Sequence, residues 1–206
     1  KPDRLIAQTD GAGGPQRIVE VDLSRPAFPQ TTLLARFELR EVSLYTAAPD
    51  TLIVAERPSA KRDSRVWSLS TTNRTLALLF APTPGLILKA DRTGDAWFLS
   101  SSPREVNIIA PRTAIQELAQ VPFGTFASKC AASASTTYCF APVRFTGLLT
   151  SLTLPDDWLS GAAISTDALY RTDLEGGESE LLFTSGEGGF PALDATRVEA
   201  SGAKLY

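Results

Sequence analysis

The chain has 206 residues, 43% of them hydrophobic and 21% charged, with a formal net charge of −3. That supplies one sizeable core or a series of repeats, while singly scattered Lys and Arg give no basic field for a phosphate backbone, so nucleic acid is not an expected partner. Histidine is absent, which removes every His general base, every His metal ligand and the Ser-His-Asp and Cys-His constellations.

From its start at Lys1 the chain shows neither an initiator Met nor a signal-like apolar region, the pattern of a processed chain or of a portion of something longer. Short runs rich in Val, Ile, Leu, Trp, Phe and Tyr then follow one another: "RIVEVDL", "TLIVAE", "RVWSLS", "AWFLSS", "REVNIIA", "ALYRTDL" and "ELLF". Each is bounded by Gly, Pro, Asp or Ser, the signature of strands between turns. The segment 112–121, "RTAIQELAQV", carries Ile115 and Leu118 at helical spacing, but Pro111 and Pro122 bracket it and its place among the strands predicts a strand. The longest apolar runs, "TLALLFAP" and "GLILKA", fall far short of the roughly 20 residues a membrane-spanning helix needs.

A repeat organises these strands. Residues 16–37, 64–80, 103–121 and 167–186 share one plan of strand, polar turn and second strand, and their anchors Ile18, Val66, Val106 and Leu169 lie 48, 40 and 63 residues apart. Inner hairpins precede three of them: "LREVSLYTAAPDTLIVAE", "GLILKADRTGDAWFLSS" and "ASKCAASASTTYCFA", with "ATRVEASGAKLY" beginning a fourth. Four strands recurring every 40 to 45 residues or so have the pattern of a β-propeller blade. The chain resembles propellers of the TolB-like and WD-repeat-like kind over essentially its whole length, most closely in "LYRTDLEGGESELLFTSG", where an aromatic-bearing strand ends in Asp-Leu and Gly-Gly makes the turn into "ELLF". The expected fold is therefore all-β, a β-propeller with about four blades visible, roughly 1–38, 39–83, 84–122 and 123–190, and with 191–206 starting a further or closing blade. "RLIAQTD" at 4–10 resembles the second strand "TLIVAER", while "SGAKLY" at 201–206 superposes on the second strand "SASTTY". Two ends competing for one strand position favour part of a larger propeller over a closed four-bladed ring.

Cys130 and Cys139 are the only cysteines. A turn at Ala134-Ser135 pairs Ser133 with Thr136, Ala132 with Thr137, Ala131 with Tyr138 and Cys130 with Cys139, which makes the cysteines directly opposed cross-strand neighbours. A structural disulfide is the expected outcome, with two reduced packing cysteines or a redox pair as alternatives. A disulfide would imply an extracytoplasmic location, secreted, periplasmic or at the cell surface.

Residues 143–166 form the longest departure from the repeat and are expected as an inserted loop carrying "LPDDWL". Asp156, Asp157, Trp158 and Leu159 are its candidate binding residues, because loops on a rigid scaffold carry recognition and Trp is enriched at hot spots. The plainer alternative has Leu154, Trp158 and Leu159 folding back to cap a face. Neighbouring carboxylates on an extended segment point to opposite sides and make a poor catalytic pair. "ADRTGDAW" lacks the ligand series of a calcium loop, and no phosphate loop accompanies "EGGESE" or "SGEGGF", so neither a metal nor a cofactor is expected. Asn73-Arg74-Thr75 has the form of an N-glycosylation acceptor for a chain made in a eukaryotic secretory pathway. No catalytic set emerges, and the expected function is a protein- or ligand-binding scaffold. The alternatives are the propeller domain of a secreted hydrolase or lyase, or a structural part of a cell-surface assembly.

Overall fold

The computed structural model describes residues 4–10, 15–24, 27, 29–38, 41–90, 97–102, 105–110, 116–133, 135–147, 152–189, 191–201 and 204–206. Among these the strands fall in five antiparallel sheets in which consecutive strands are neighbours. The first comprises β1 (Arg4–Asp10), β2 (Gln16–Asp22) and β3 (Gln30–Phe37). Four strands make the second: β4 (Val42–Ala48), β5 (Thr51–Glu56), β6 (Asp63–Ser70) and β7 (Leu76–Pro84). The third contains β8 (Ile87–Ala90), β9 (Trp97–Ser102), β10 (Glu105–Ala110) and β11 (Gln116–Val121). The fourth contains β12 (Cys130–Ser133), β13 (Thr136–Gly147), β14 (Ala163–Asp173) and β15 (Ser179–Thr184). β16 (Ala200–Ser201) and β17 (Lys204–Leu205) form the last. The only α-helix among the described residues is α1 (Asp156–Leu159).

Within each sheet, strands that are consecutive in sequence pair antiparallel, the order that hairpin connections produce. Between β14 and β15 the turn is the Gly-Gly pair expected from sequence. Gly177 lies at φ 69°, where a side chain would be strained, and its amide donates to the Asp173 carbonyl at 2.9 Å. Within 112–121, residues 116–121 are strand, as their place among the strands predicts, while 111–115 lie outside the described residues. So does the greater part of "ADRTGDAW", residues 91–96.

Two compact units divide the chain. Lys1–Arg57 with Val66–Phe80 is the first, and its core packs Ile18, Leu34, Phe37, Val42, Leu52, Val54 and Leu69. Leu52 through Glu56 are all buried, so β5 is covered on both faces, which is why it reads as a continuous apolar run rather than an alternation.

Pro58–Arg65 with Ala81–Tyr206 is the second unit, with a core around Phe98, Val106, Ile108, Val121, Phe126, Trp158 and the cysteines. Inner strands here are tied by a buried lysine: the Lys89 ammonium, on β8, donates to the Cys130 carbonyl at 2.6 Å and to the Val198 carbonyl. The register of β12 on β13 is the one expected, Cys130 opposite Cys139, and the two sulfurs are bonded with the Cα atoms 4.1 Å apart. Both cysteines are fully buried.

The insertion is not one loop. Paired strand continues through Gly147 opposite Ala163, so residues 143–147 and 163–166 are extensions of β13 and β14. Alternation survives there only in part, since the ladder slips between Pro142 and Arg144. A proline without an amide donor followed by an extra residue is the usual place for such a bulge.

Candidate functional site

Extended together, β13 and β14 form an arm whose tip, residues 152–162, turns back on the second unit; residues 148–151 lie outside the described residues. The tip is a single helical turn. Asp157 N–H donates to the Thr153 carbonyl at 3.0 Å, Leu159 N–H to Pro155 at 2.9 Å and Ser160 N–H to Asp156 at 3.0 Å. Gly161 ends it at φ 75°, with its amide on the Trp158 carbonyl, the left-handed residue that commonly closes a helical turn.

That turn changes the geometry expected for the two carboxylates. Rather than projecting to opposite sides of an extended chain, each serves a different set of donors. The Asp156 carboxylate accepts from the Ser59 hydroxyl at 3.2 Å and from the Ala60 amide at 3.2 and 3.3 Å. The Asp157 carboxylate accepts from the Thr153 amide at 2.5 Å and closes its own turn. Gly85 makes room for the approach: a Cβ there would stand 3.2 Å from the Pro155 ring and 3.1 Å from the Ser101 carbonyl.

Trp158 is buried. Its ring stacks on Phe126 with centroids 4.5 Å apart and planes 13° from parallel, and Phe126 meets Phe145 of the arm edge-on at 6.4 Å. Beneath the indole lies a cluster that the sequence did not announce. Lys129, fully buried, ends a short 3-10 turn (Ala127–Lys129) and places its ammonium 5.0 Å from the Trp158 ring centroid. That ammonium donates to Asp167 Oδ2 and Ser165 Oγ at 2.6 Å each and to Asp194 Oδ1 at 3.0 Å. Ser165 in turn donates to Asp194 Oδ1 at 2.6 Å, the indole N–H reaches the same oxygen at 3.3 Å, and Ala195 N–H donates to Asp167 Oδ2 at 2.8 Å. Burial pushes the Asp194 carboxyl up, but hydrogen bonds from Ser165 and Lys129 and the lysine charge together outweigh it and hold the group below the ordinary aspartate value.

Chemically the cluster is closed. An ammonium ion-paired with two carboxylates has no lone pair to attack with, and Asp167 is fully buried, so neither meets a substrate. What it does is anchor: Ser165 and Asp167 lie on β14, Trp158 on the tip, and Asp194 on the segment leading to β16. Three aliphatic side chains of the arm are exposed to solvent. Val143, Leu159 and Ile164 are 53%, 39% and 55% exposed. Of the four residues singled out from sequence, Leu159 is thus the exposed one, and Asp156, Asp157 and Trp158 are engaged by the molecule's own groups.

No family model and no curated protein matches the sequence. Solved structures do. An oligogalacturonate lyase in complex with manganese superposes with a TM-score of 0.51 at 13% identity, covering 84% of this chain and 43% of that one. A puromycin-hydrolyzing peptidase of Mycobacterium tuberculosis gives 0.54 at 13% identity, over 97% of this chain and 30% of the other. The fold is of the β-propeller type. At this identity the propeller likeness concerns the fold alone, and the chain spans less than half the length of either structure.

Proposed function

We propose that this propeller is a non-catalytic binding scaffold of the TolB-like or WD-repeat-like kind, working outside the cytoplasm, and that it recognises a protein or surface-exposed ligand with the arm of its fourth sheet. The observation that carries the reading is the division of labour on the arm. Lys129, Asp167 and Asp194 at its root are paired with one another, while three aliphatic side chains, Val143, Leu159 and Ile164, stay exposed beside the exposed Arg144. Asp156, Asp157 and Trp158 act in this reading by holding the tip, so that Leu159 is presented from a rigid base. The buried disulfide supports the location, because such bonds persist in oxidising compartments, and among the described residues no helix is long and apolar enough to cross a membrane.

A photo-crosslinking amino acid at position 159 or 164, activated on intact cells that make the protein, tests this. One discrete adduct is expected, lost in Val143→Asp, with the unfolding midpoint unchanged. Absence of any adduct at both positions would sink the reading. A second reading, the propeller domain of a secreted hydrolase or lyase, draws on the enzymes named in the two structural likenesses. It requires that the arm contact a catalytic domain, and the mass of the adduct distinguishes that from a separate partner.

A further inference from the structure

We propose that Asn73 is the acceptor of an N-linked oligosaccharide and that the glycan covers the exposed start of β7. The proposal rests on the extracytoplasmic reading above. Asn73-Arg74-Thr75 is the sequence such transfer requires, and it falls at the tip of the β6–β7 hairpin. The turn is well defined: Arg74 N–H donates to the Ser70 carbonyl at 2.8 Å, Ser70 N–H to Thr75 at 2.9 Å and Asn73 N–H to Ser70 Oγ at 3.2 Å, with Arg74 at φ 56°. Asn73 and Thr75 are both exposed. Among the described residues no group engages the Asn73 carboxamide or the Thr75 hydroxyl, so the folded chain can carry a sugar there without disturbing anything.

An independent feature gives the glycan a task. β7 is an edge strand, the last in its sheet. The corresponding last strands of the first, third and fourth sheets each carry a charge, Arg36 in β3, Glu117 in β11 and Glu180 in β15, whereas β7 reads "LALLFAPTP" with none. Charge and proline are the usual protection of an edge against pairing with another chain. Pro82 and Pro84 protect the far half. The near half leaves Leu76 and Leu78 42% and 50% exposed, beginning three residues after Asn73. A bulky polar group at the tip is placed to shield what the strand itself does not.

In the transfer step Asn73 Nδ2 bonds to the anomeric carbon of a lipid-diphosphate-linked oligosaccharide. The bond from that carbon to the diphosphate oxygen breaks, the lipid diphosphate leaves with the electron pair, and the carboxamide gives up one proton.

The test is to produce the chain behind a cleaved secretory leader in a eukaryotic cell and to measure intact mass, in extract and medium, before and after enzymatic removal of N-glycans. A glycosidase-sensitive mass is expected in the wild type and in Thr75→Ser, and its loss in Asn73→Gln and Thr75→Ala. A wild-type chain bare at Asn73 in both fractions overturns the proposal. Alkylation of the same secreted sample separates the two ideas, since free thiols at Cys130 and Cys139 would count against the extracytoplasmic reading whatever the state of Asn73. Light scattering then tests the shielding: Asn73→Gln should self-associate at concentrations where the glycosylated chain is monomeric, and equal behaviour of the two overturns that half of the proposal.

Discussion

Lys129 shows what one buried charge organises. Removing it leaves Asp167 fully buried without its ammonium and takes a donor from Asp194, a loss of the kind that costs about 3–5 kcal/mol. Lys129→Met should therefore lower the urea midpoint steeply with an unchanged slope, and a cost under about 1 kcal/mol would mean that the carboxylates find other donors. Acid tests the same cluster. The folded-state pKa of Asp194 lies below its unfolded value, so its contribution is complete above the ordinary aspartate range and is lost as pH falls through the depressed value. In Asp194→Asn the acid limb of stability against pH should be shallower than in the wild type over that window, and identical limbs would contradict the assignment. None of this was legible in the sequence. Lys129, Asp167 and Asp194 are far apart along the chain, and a contact between side chains on different strands leaves no period. The available hint was a lone lysine among small and apolar neighbours in "FASKCAA".

Elements were easier to read than residues, because alternation and turn chemistry are local. The β12–β13 register followed from placing one turn, and the disulfide from the register. A Cys130→Ala, Cys139→Ala double variant is expected to lose about 2.7 kcal/mol, the chain-entropy value for a closed loop of about ten residues, read from equilibrium unfolding. The tip of the arm was missed for an equally local reason: "PDDWLS" is too short to display a helical period, and its turn is stabilised by Thr153, Asp157 and Gly161 rather than by an amphipathic face. Trp158→Ala opens a cavity against Phe126 and should cost about 3–5 kcal/mol. Trp158→Phe keeps an aromatic ring there but loses the bond to Asp194, for about 1 kcal/mol. Equal costs for the two would mean that stacking contributes nothing.

At the scale of the whole molecule, the sequence repeat was the strongest signal, since each unit must bury a sheet face that it cannot bury alone. It revealed sheets of successive antiparallel strands, three of them with four strands, and the second-strand likeness of residues 4–10 agrees with β1 heading a three-stranded sheet. Function was far less legible, because it resides in particular sites that a fold-level repeat does not constrain. A recognition arm of the kind proposed must be held as rigidly as the sheet it grows from. Native-state hydrogen exchange tests this most directly, at the amides of Asp157, Leu159 and Ser160 in the tip against those of Cys139 and Ala168 in β13 and β14. Comparable opening free energies in the two sets are expected. Tip amides that exchange at the rate of an unprotected loop, while the sheet stays protected, would contradict the account.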